Sequence, residues 1–220
     1  MEITAKTGFN CWIKALEYIL KQGEDFIDDD KRRCREVRNI LLVVKEPGLK
    51  PSLPVDTLRS FQKWYYPDHE EIRKAIFDSK ISPGYSFSLG PRLFDFRKKI
   101  NQIDDFIIPL LKIKKTSRRA TAIIWDPVED SLIHKKDIPS LMTLSFMIRQ
   151  NKLFMTAYVR SNDLFFGYPS NLYQCFRIMK YVLDKISVEF GDLAIFSFSA
   201  HIFDDEFEDI KKLIAKNQKV

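Results

Sequence analysis

The sequence predicts a mixed α/β domain. Three observations carry that expectation. Apolar runs bounded by turn residues read as buried strands, amphipathic stretches at helical spacing lie between them, and one pair of runs reads as an antiparallel hairpin. With 220 residues, 45% of them hydrophobic and 18 of them Phe, the chain is long enough for one sizeable core, and a single domain over 1–220 is expected.

The elements follow in order. "FNCWIKALEYILKQ" (9–22) sets Phe9, Trp12, Ile13, Leu16, Ile19 and Leu20 at helical spacing, with Gly23 where a helix ends. "EDFIDDDKRRCRE" reads as a charged loop leading into the strand "RNILLVVKEP", which the prolines of "EPGLKPSLP" terminate. "DHEEIRKAIF" is a helical pattern, and "SPGYSFSLGPRLFDF" reads as loop and short strand. "INQIDDFIIPLLKI" is an amphipathic helix broken late by Pro109. "SRRATAIIWDP" is a basic turn feeding a buried strand, and "DIPSLMTLSF" a buried strand entered through Pro139. "LMTLSFMIRQNKLFMTAYVRS" is a hairpin turning at "RQNK". "NLYQCFRIMKYVLDKIS" is the longest helix, with Asn171 placed as its N-cap and Cys175 on its apolar face. "LAIFSFSAHIF" is the final strand and "DDEFEDIKKLIAKNQ" a solvated terminal helix.

Composition narrows the function classes. The net charge of +6, from 36 basic and 30 acidic residues, suits an anionic ligand and does not by itself imply nucleic acid. Seven Gly argue against a glycine-rich phosphate loop. Cys11, Cys34 and Cys175 stand far apart in no metal-ligand spacing, so a reduced cytoplasmic protein without a metal site is expected. The opening residues lack a signal-peptide pattern, and no run reaches the ~18 apolar residues of a membrane span.

Four short stretches carry candidate ligand groups. Arg118 and Arg119 in "TSRRA" offer forked donors that suit phosphate oxygens, or form a solvated turn. "AYVRSNDLFFGYPSN" places Arg160 and Ser161 at a strand end with Asp163 beside them, followed by Gly167, Pro169 and Asn171. His201 in "SAHIF" is either a satisfied core histidine or a ligand. "IPSL" puts the hydroxyl of Ser140 at the mouth of a strand.

In order and spacing these stretches resemble the thymidylate synthase superfamily, most closely its compact archaeal branch. The likeness lies in an Arg-Arg pair before a Trp-containing strand, a Pro-led strand opening, Arg-Ser-x-Asp followed by Gly, Pro and Asn, and a closing His. The resemblance implies a mixed sheet with flanking helices and a homodimer formed through the sheet, with two shared sites. It implies that Arg160 and Ser161 bind a nucleotide phosphate from their own subunit, and that Arg118 and Arg119 reach it from the partner. Arg33 or Arg35 would supply a further phosphate contact. Asp163 would stand on the pterin side, His201 at the sugar, and Asn171 at the base. An amide offers one donor and one acceptor, complementary to O4 and N3–H of uracil, so Asn171 favours a uridylate such as dUMP over a cytidylate.

The family pattern breaks at the chemistry. Ser140 stands where the family has its nucleophilic cysteine, and a serine hydroxyl attacks only with a positioned base. His134 is the nearest in sequence. Leu89-Gly90 replaces a Tyr-Gly, with Tyr85 nearby, and Phe203 replaces the sugar-binding phenol. Glu70 and Glu71 are the nearest guesses for the family's glutamate, and a solvated helix face explains them equally. Three readings follow. The first is a uridylate-binding pseudoenzyme, sensor or regulatory partner whose C5 one-carbon transfer is lost or altered. The second is an active methyl- or hydroxymethyltransferase whose cysteine has been replaced in this chain or whose nucleophile is unconventional, served by methylene-tetrahydrofolate or methylene-tetrahydromethanopterin. The third is a structural or interaction module.

Overall fold

The computed structural model describes residues 1–78, 80 and 88–217. In chain order these form β1 (Glu2–Ala5), α1 (Gly8–Gln22), β2 (Glu24–Ile27), β3 (Arg33–Val44), α2 (Leu53–Ser60), α3 (His69–Phe77) and α4 (Leu89–Phe94). A π-helical turn, Gln102–Ile107, then runs into α5 (Ile108–Ile113), followed by β4 (Thr121–Ile123), α6 (Pro127–Asp130), β5 (Leu141–Arg149) and β6 (Lys152–Asp163). Next come α7 (Gly167–Ile186), β7 (Glu189–Phe203), a 3-10 turn at Asp204–Glu206, and α8 (Phe207–Asn217). Among the described residues the strands join in one mixed sheet of order β1-β3-β7-β6-β5-β4, with β2 paired to β3. Pairing is parallel for β1/β3 and β6/β7 and antiparallel elsewhere. This is the mixed α/β class expected.

One face of the sheet carries the core. In β5, Leu144, Phe146 and Ile148 are buried, while Ser145 and Met147 between them are exposed. Trp12, Leu16 and Ile19 of α1 and Cys175, Met179 and Val182 of α7 pack into that core. The Trp12 indole N–H donates to the Leu164 carbonyl at 2.6 Å, tying α1 to the turn that follows β6. The opposite face stays open: Ile123, Met147 and Phe198 are exposed, and Tyr158 stacks on Phe196.

The β5–β6 turn is as expected: Gln150 and Asn151 both have positive φ, 49° and 58°, the handedness that lets a two-residue loop close twisted strands. Several expectations change. The "charged loop" is mostly a hairpin, β2 pairing antiparallel with β3, because charges on a half-solvated strand hide its alternation. Residues 89–94 form α4 where the sequence suggested loop and short strand; Tyr85 lies outside the described residues. Gly90 is required there, since a Cβ would lie 2.0 Å from the Asp78 carbonyl oxygen. β1 and α2 were not anticipated. Pro109 does not break its helix but sits at the start of α5, where the wider π turn gives way to the α-helix and its missing N–H is least felt. The terminal helix is half-embedded, burying Ile210, Leu213 and Ile214. No helix of the described residues is long and apolar enough to cross a membrane.

Candidate functional site

The C-terminal end of β6 and the opening of β5 meet at Arg160. Its backbone N–H donates to the Ser140 carbonyl at 2.8 Å. Its Nε donates to the Pro139 carbonyl at 3.0 Å and Nη2 to that of Ile138 at 3.4 Å. Arg160 therefore braces the segment that presents Ser140, and Nη1 donates to none of the described residues. The guanidinium also lies 5.9 Å from the Trp125 ring centre. Burial lowers the Arg160 pKa, with Asp130 opposing. Behind this segment, Arg97 holds the Asp126 carboxyl with two short bonds, and Arg92 and Lys135 hold that of Asp130. That ionic cluster fixes residues 126–135, the chain that leads to Ser140.

Asn171 is not an N-cap. α7 begins four residues earlier, at Gly167, after a turn in which the Asp163 Oδ1 accepts from the N–H groups of Phe165 and Phe166 at 2.9 and 2.8 Å. Asn171 instead stands one turn inside the helix, half-buried. Its Nδ2 donates to Oδ1 of the fully buried Asn162, whose own Nδ2 donates to the buried Ser197 hydroxyl. One amide hydrogen of Asn171 is thus engaged, leaving an N–H and Oδ1 for another molecule. Ser161 lies between Arg160 and Asn162, level with Ser199 of β7. Asn162 was missed in the sequence, where "RSND" shows no sign that its asparagine turns inward.

His201 pairs with Asp163 across β6/β7 and with Glu36 across β3/β7. Burial lowers its pKa, with Asp163 and Glu36 opposing. Phe203 meets His201 edge-on at 5.2 Å, and Arg32, at the tip of the β2–β3 hairpin, lies 3.2 Å above the Phe203 ring. Arg32, Lys63, Trp64, Asp163, Phe166 and Glu206 line a cavity of about 410 Å³. Of the neighbouring arginines, Arg33 is largely exposed, 4.0 Å from Asp204, and Arg35 is held by Asp25 and the Leu20 carbonyl. Arg32 rather than either of these enters the cavity.

Other candidates lie elsewhere. Arg118 and Arg119 sit on the exposed turn before β4. The Ala120 carbonyl pairs with the Phe146 N–H, six residues along β5 from Ser140, which is about 20 Å at the usual strand rise. His134 is exposed and forms no hydrogen bond with Ser140. Glu71 completes a capping box with Asp68 and Glu70 pairs with Arg73, both on the surface of α3. Leu89 is in the core. Burial pushes the Cys175 thiol up to about 12, and those of Cys11 and Cys34 to about 11, so none is poised as a thiolate.

Comparison with known proteins places the chain in a family. The family model described as thymidylate synthase matches residues 49–220. A protein of Methanococcoides burtonii named "Putative thymidylate synthase" is 30% identical over 212 residues, covering 96% of this chain and 94% of its own. A Methanocaldococcus jannaschii protein of the same name is 33% identical, covering 88% of this chain and 87% of its own. The deoxyuridylate hydroxymethyltransferase of Bacillus phage SP01 is 32% identical over 125 residues, 54% of this chain and 32% of that protein. The matches of the family model over residues 49–220 and of relatives over nearly the whole length make this chain a member of the thymidylate synthase family.

Proposed function

We propose that the chain, folded as one domain over residues 1–220, binds a uridylate-type nucleoside monophosphate beside Ser140, and that the usual one-carbon transfer to C5 is lost or altered. The observation that carries this is the contrast around Ser140. Arg160 and Ser161 offer phosphate donors, and Asn171 presents one N–H and one carbonyl oxygen in the pattern uracil requires. Yet His134, the nearest histidine in sequence, is exposed and forms no hydrogen bond with the Ser140 hydroxyl, which is too basic to attack unaided. His201 fits the sugar side. The protein would then serve as a sensor, a regulator or the partner of a catalytic relative.

A homodimer through the open sheet face completes the site in this reading. That face presents Ile123, Met147 and Phe198 to solvent. Arg118 and Arg119 lie too far along the sheet from Ser140 to serve their own subunit's site, whereas a subunit packed on this face can offer the same pair across the interface.

A second reading, an active methyl- or hydroxymethyltransferase, is favoured by the names of the relatives. Its carbon donor, methylene-tetrahydrofolate or methylene-tetrahydromethanopterin, carries a pterin. The aromatic walls of Trp64 and Phe166 and the Asp163 carboxylate suit a flat, hydrogen-bonding ring. Bound there, the donor supplies the one-carbon unit.

The test is calorimetric titration with dUMP, UMP, dCMP and CMP, paired with tritium release from C5-labelled dUMP. Binding that prefers uracil with release at background supports the proposal. Absence of binding by all four overturns the nucleotide site, and release above background establishes the second reading. Ser140→Cys is expected to leave release at background, because Leu89 stands where the family has its tyrosine.

A further inference from the structure

The cavity holds a buried carboxyl that the nucleotide reading leaves unused. Glu206 is 8% exposed and lines the cavity with Asp163. The two acids are treated differently by the fold. Asp163 accepts backbone N–H groups from Phe165 and Phe166 at the start of α7, where the helix dipole also favours negative charge. Glu206 accepts one backbone N–H, from Phe203 at 3.0 Å. When two buried carboxyls share a site, the proton stays on the one with fewer donors. Here that is Glu206.

Burial beside Asp163 raises the Glu206 pKa to about 8. Burial raises that of Asp163 as well, against its hydrogen bonds and His201. The charged groups facing this pair are His201 from β7, Arg32 from the hairpin tip, Lys63 from the loop after α2, and Asp205 from the 3-10 turn. Lys63 is already paired with Asp209 at 2.7 Å, and Arg32 spreads over Phe203, so neither cation is committed to Glu206. The cavity therefore sets two carboxyl groups between aromatic walls, with basic groups at its rim.

We propose that Glu206 is a specificity-determining residue of this cavity, donating a hydrogen bond from its carboxyl to an acceptor on a planar heterocycle whose adjacent N–H is accepted by Asp163. A lactam edge has that donor–acceptor pair, the aromatic walls take the ring faces, and Arg32 and Lys63 suit an anionic tail. The inference deepens the proposed function, since Asp163 and Phe203 of the cavity both neighbour His201 on the sugar side of the nucleotide site.

Tetrahydrofolate and tetrahydromethanopterin, which share the lactam and differ in the tail, serve as probes in calorimetric titrations at pH 7 and pH 9, with and without dUMP. Wild-type affinity is expected to fall about tenfold between the two, since one pH unit above a pKa leaves about a tenth of the acid form. Glu206→Gln keeps an N–H donor and an acceptor for the Phe203 N–H and cannot ionise. It is expected to bind as wild type does at pH 7 and to keep that affinity at pH 9. It also carries the ligand's own titration as a control. Glu206→Ala is expected to lose about tenfold at both. Superimposable pH profiles for wild type and Glu206→Gln overturn the proposal, as does unchanged binding by Glu206→Ala or absence of binding by both probes. dUMP is titrated alone in the same preparations. Its failure to bind overturns the nucleotide reading, while the pterin profiles still decide Glu206. The probe that binds more tightly identifies the tail that the rim prefers.

Discussion

Asn162→Ala probes the hub that ties Asn171, the proposed base reader, to the core. Asn162 and Ser197 are both fully buried, and Asn162 makes one hydrogen bond to Ser197 and accepts one from Asn171. Truncation removes both and strands a buried hydroxyl, at a cost of about 2–4 kcal/mol. For a chain of this size that corresponds to a fall in Tm of roughly 5–15 °C. Losing the brace also frees the Asn171 amide to turn, so the preference for dUMP over dCMP should drop about tenfold, near 1.4 kcal/mol. The double variant Asn162→Leu/Ser197→Ala separates the effects. Removing both polar partners should restore most of the Tm, since no buried group is left unsatisfied, while selectivity stays lost. Thermal unfolding and calorimetric titration of both variants are the assays. A well-folded double variant that still prefers uracil by the wild-type margin would refute the idea that Asn162 orients Asn171.

The remaining predictions concern the ionic cluster and the basic turn. Arg97 holds the Asp126 carboxyl down to about 2. A carboxyl lowered in the folded state stabilises above its ordinary pKa of 3.8, and that stability is lost as pH falls toward 2. Arg97→Gln should therefore lower stability at pH 7, and the gap should close between pH 4 and pH 2 in acid titrations of unfolding. Arg118→Ala/Arg119→Ala should weaken dUMP binding about 10- to 100-fold with little change in Tm. Mixing that variant with Arg160→Ala subunits should restore a fraction of tight sites, a result that an arginine pair acting within its own subunit would not give.

Much of the fold was legible. The α1 and α7 patterns, the β5–β6 hairpin with its two-residue turn, and the final strand all follow from local periodicity. The hairpin of β2 and β3 was not, because a strand edged by "DDDKRR" carries charge where alternation should show. α2 hid behind Pro51 and Pro54, which mark helix starts as readily as loop. At the candidate site the sequence offered the residue types but misplaced one of them: Asn171 was expected to cap a helix that in fact begins at Gly167.

The sequence by itself determined the alternating and helical patterns, the α/β class, and the supply of guanidinium, amide and carboxyl groups, because these are properties of one element at a time. Only the tertiary structure decided which of them meet. The register of β3, β7 and β6 sets Glu36, His201 and Asp163 side by side, and the hairpin geometry selects Arg32 over Arg33 and Arg35. The early start of α7 frees Asn171 from capping and hands it to Asn162. The reason is geometric: hydrogen-bond register between distant strands fixes which side chains meet, and no local pattern in the chain encodes that register.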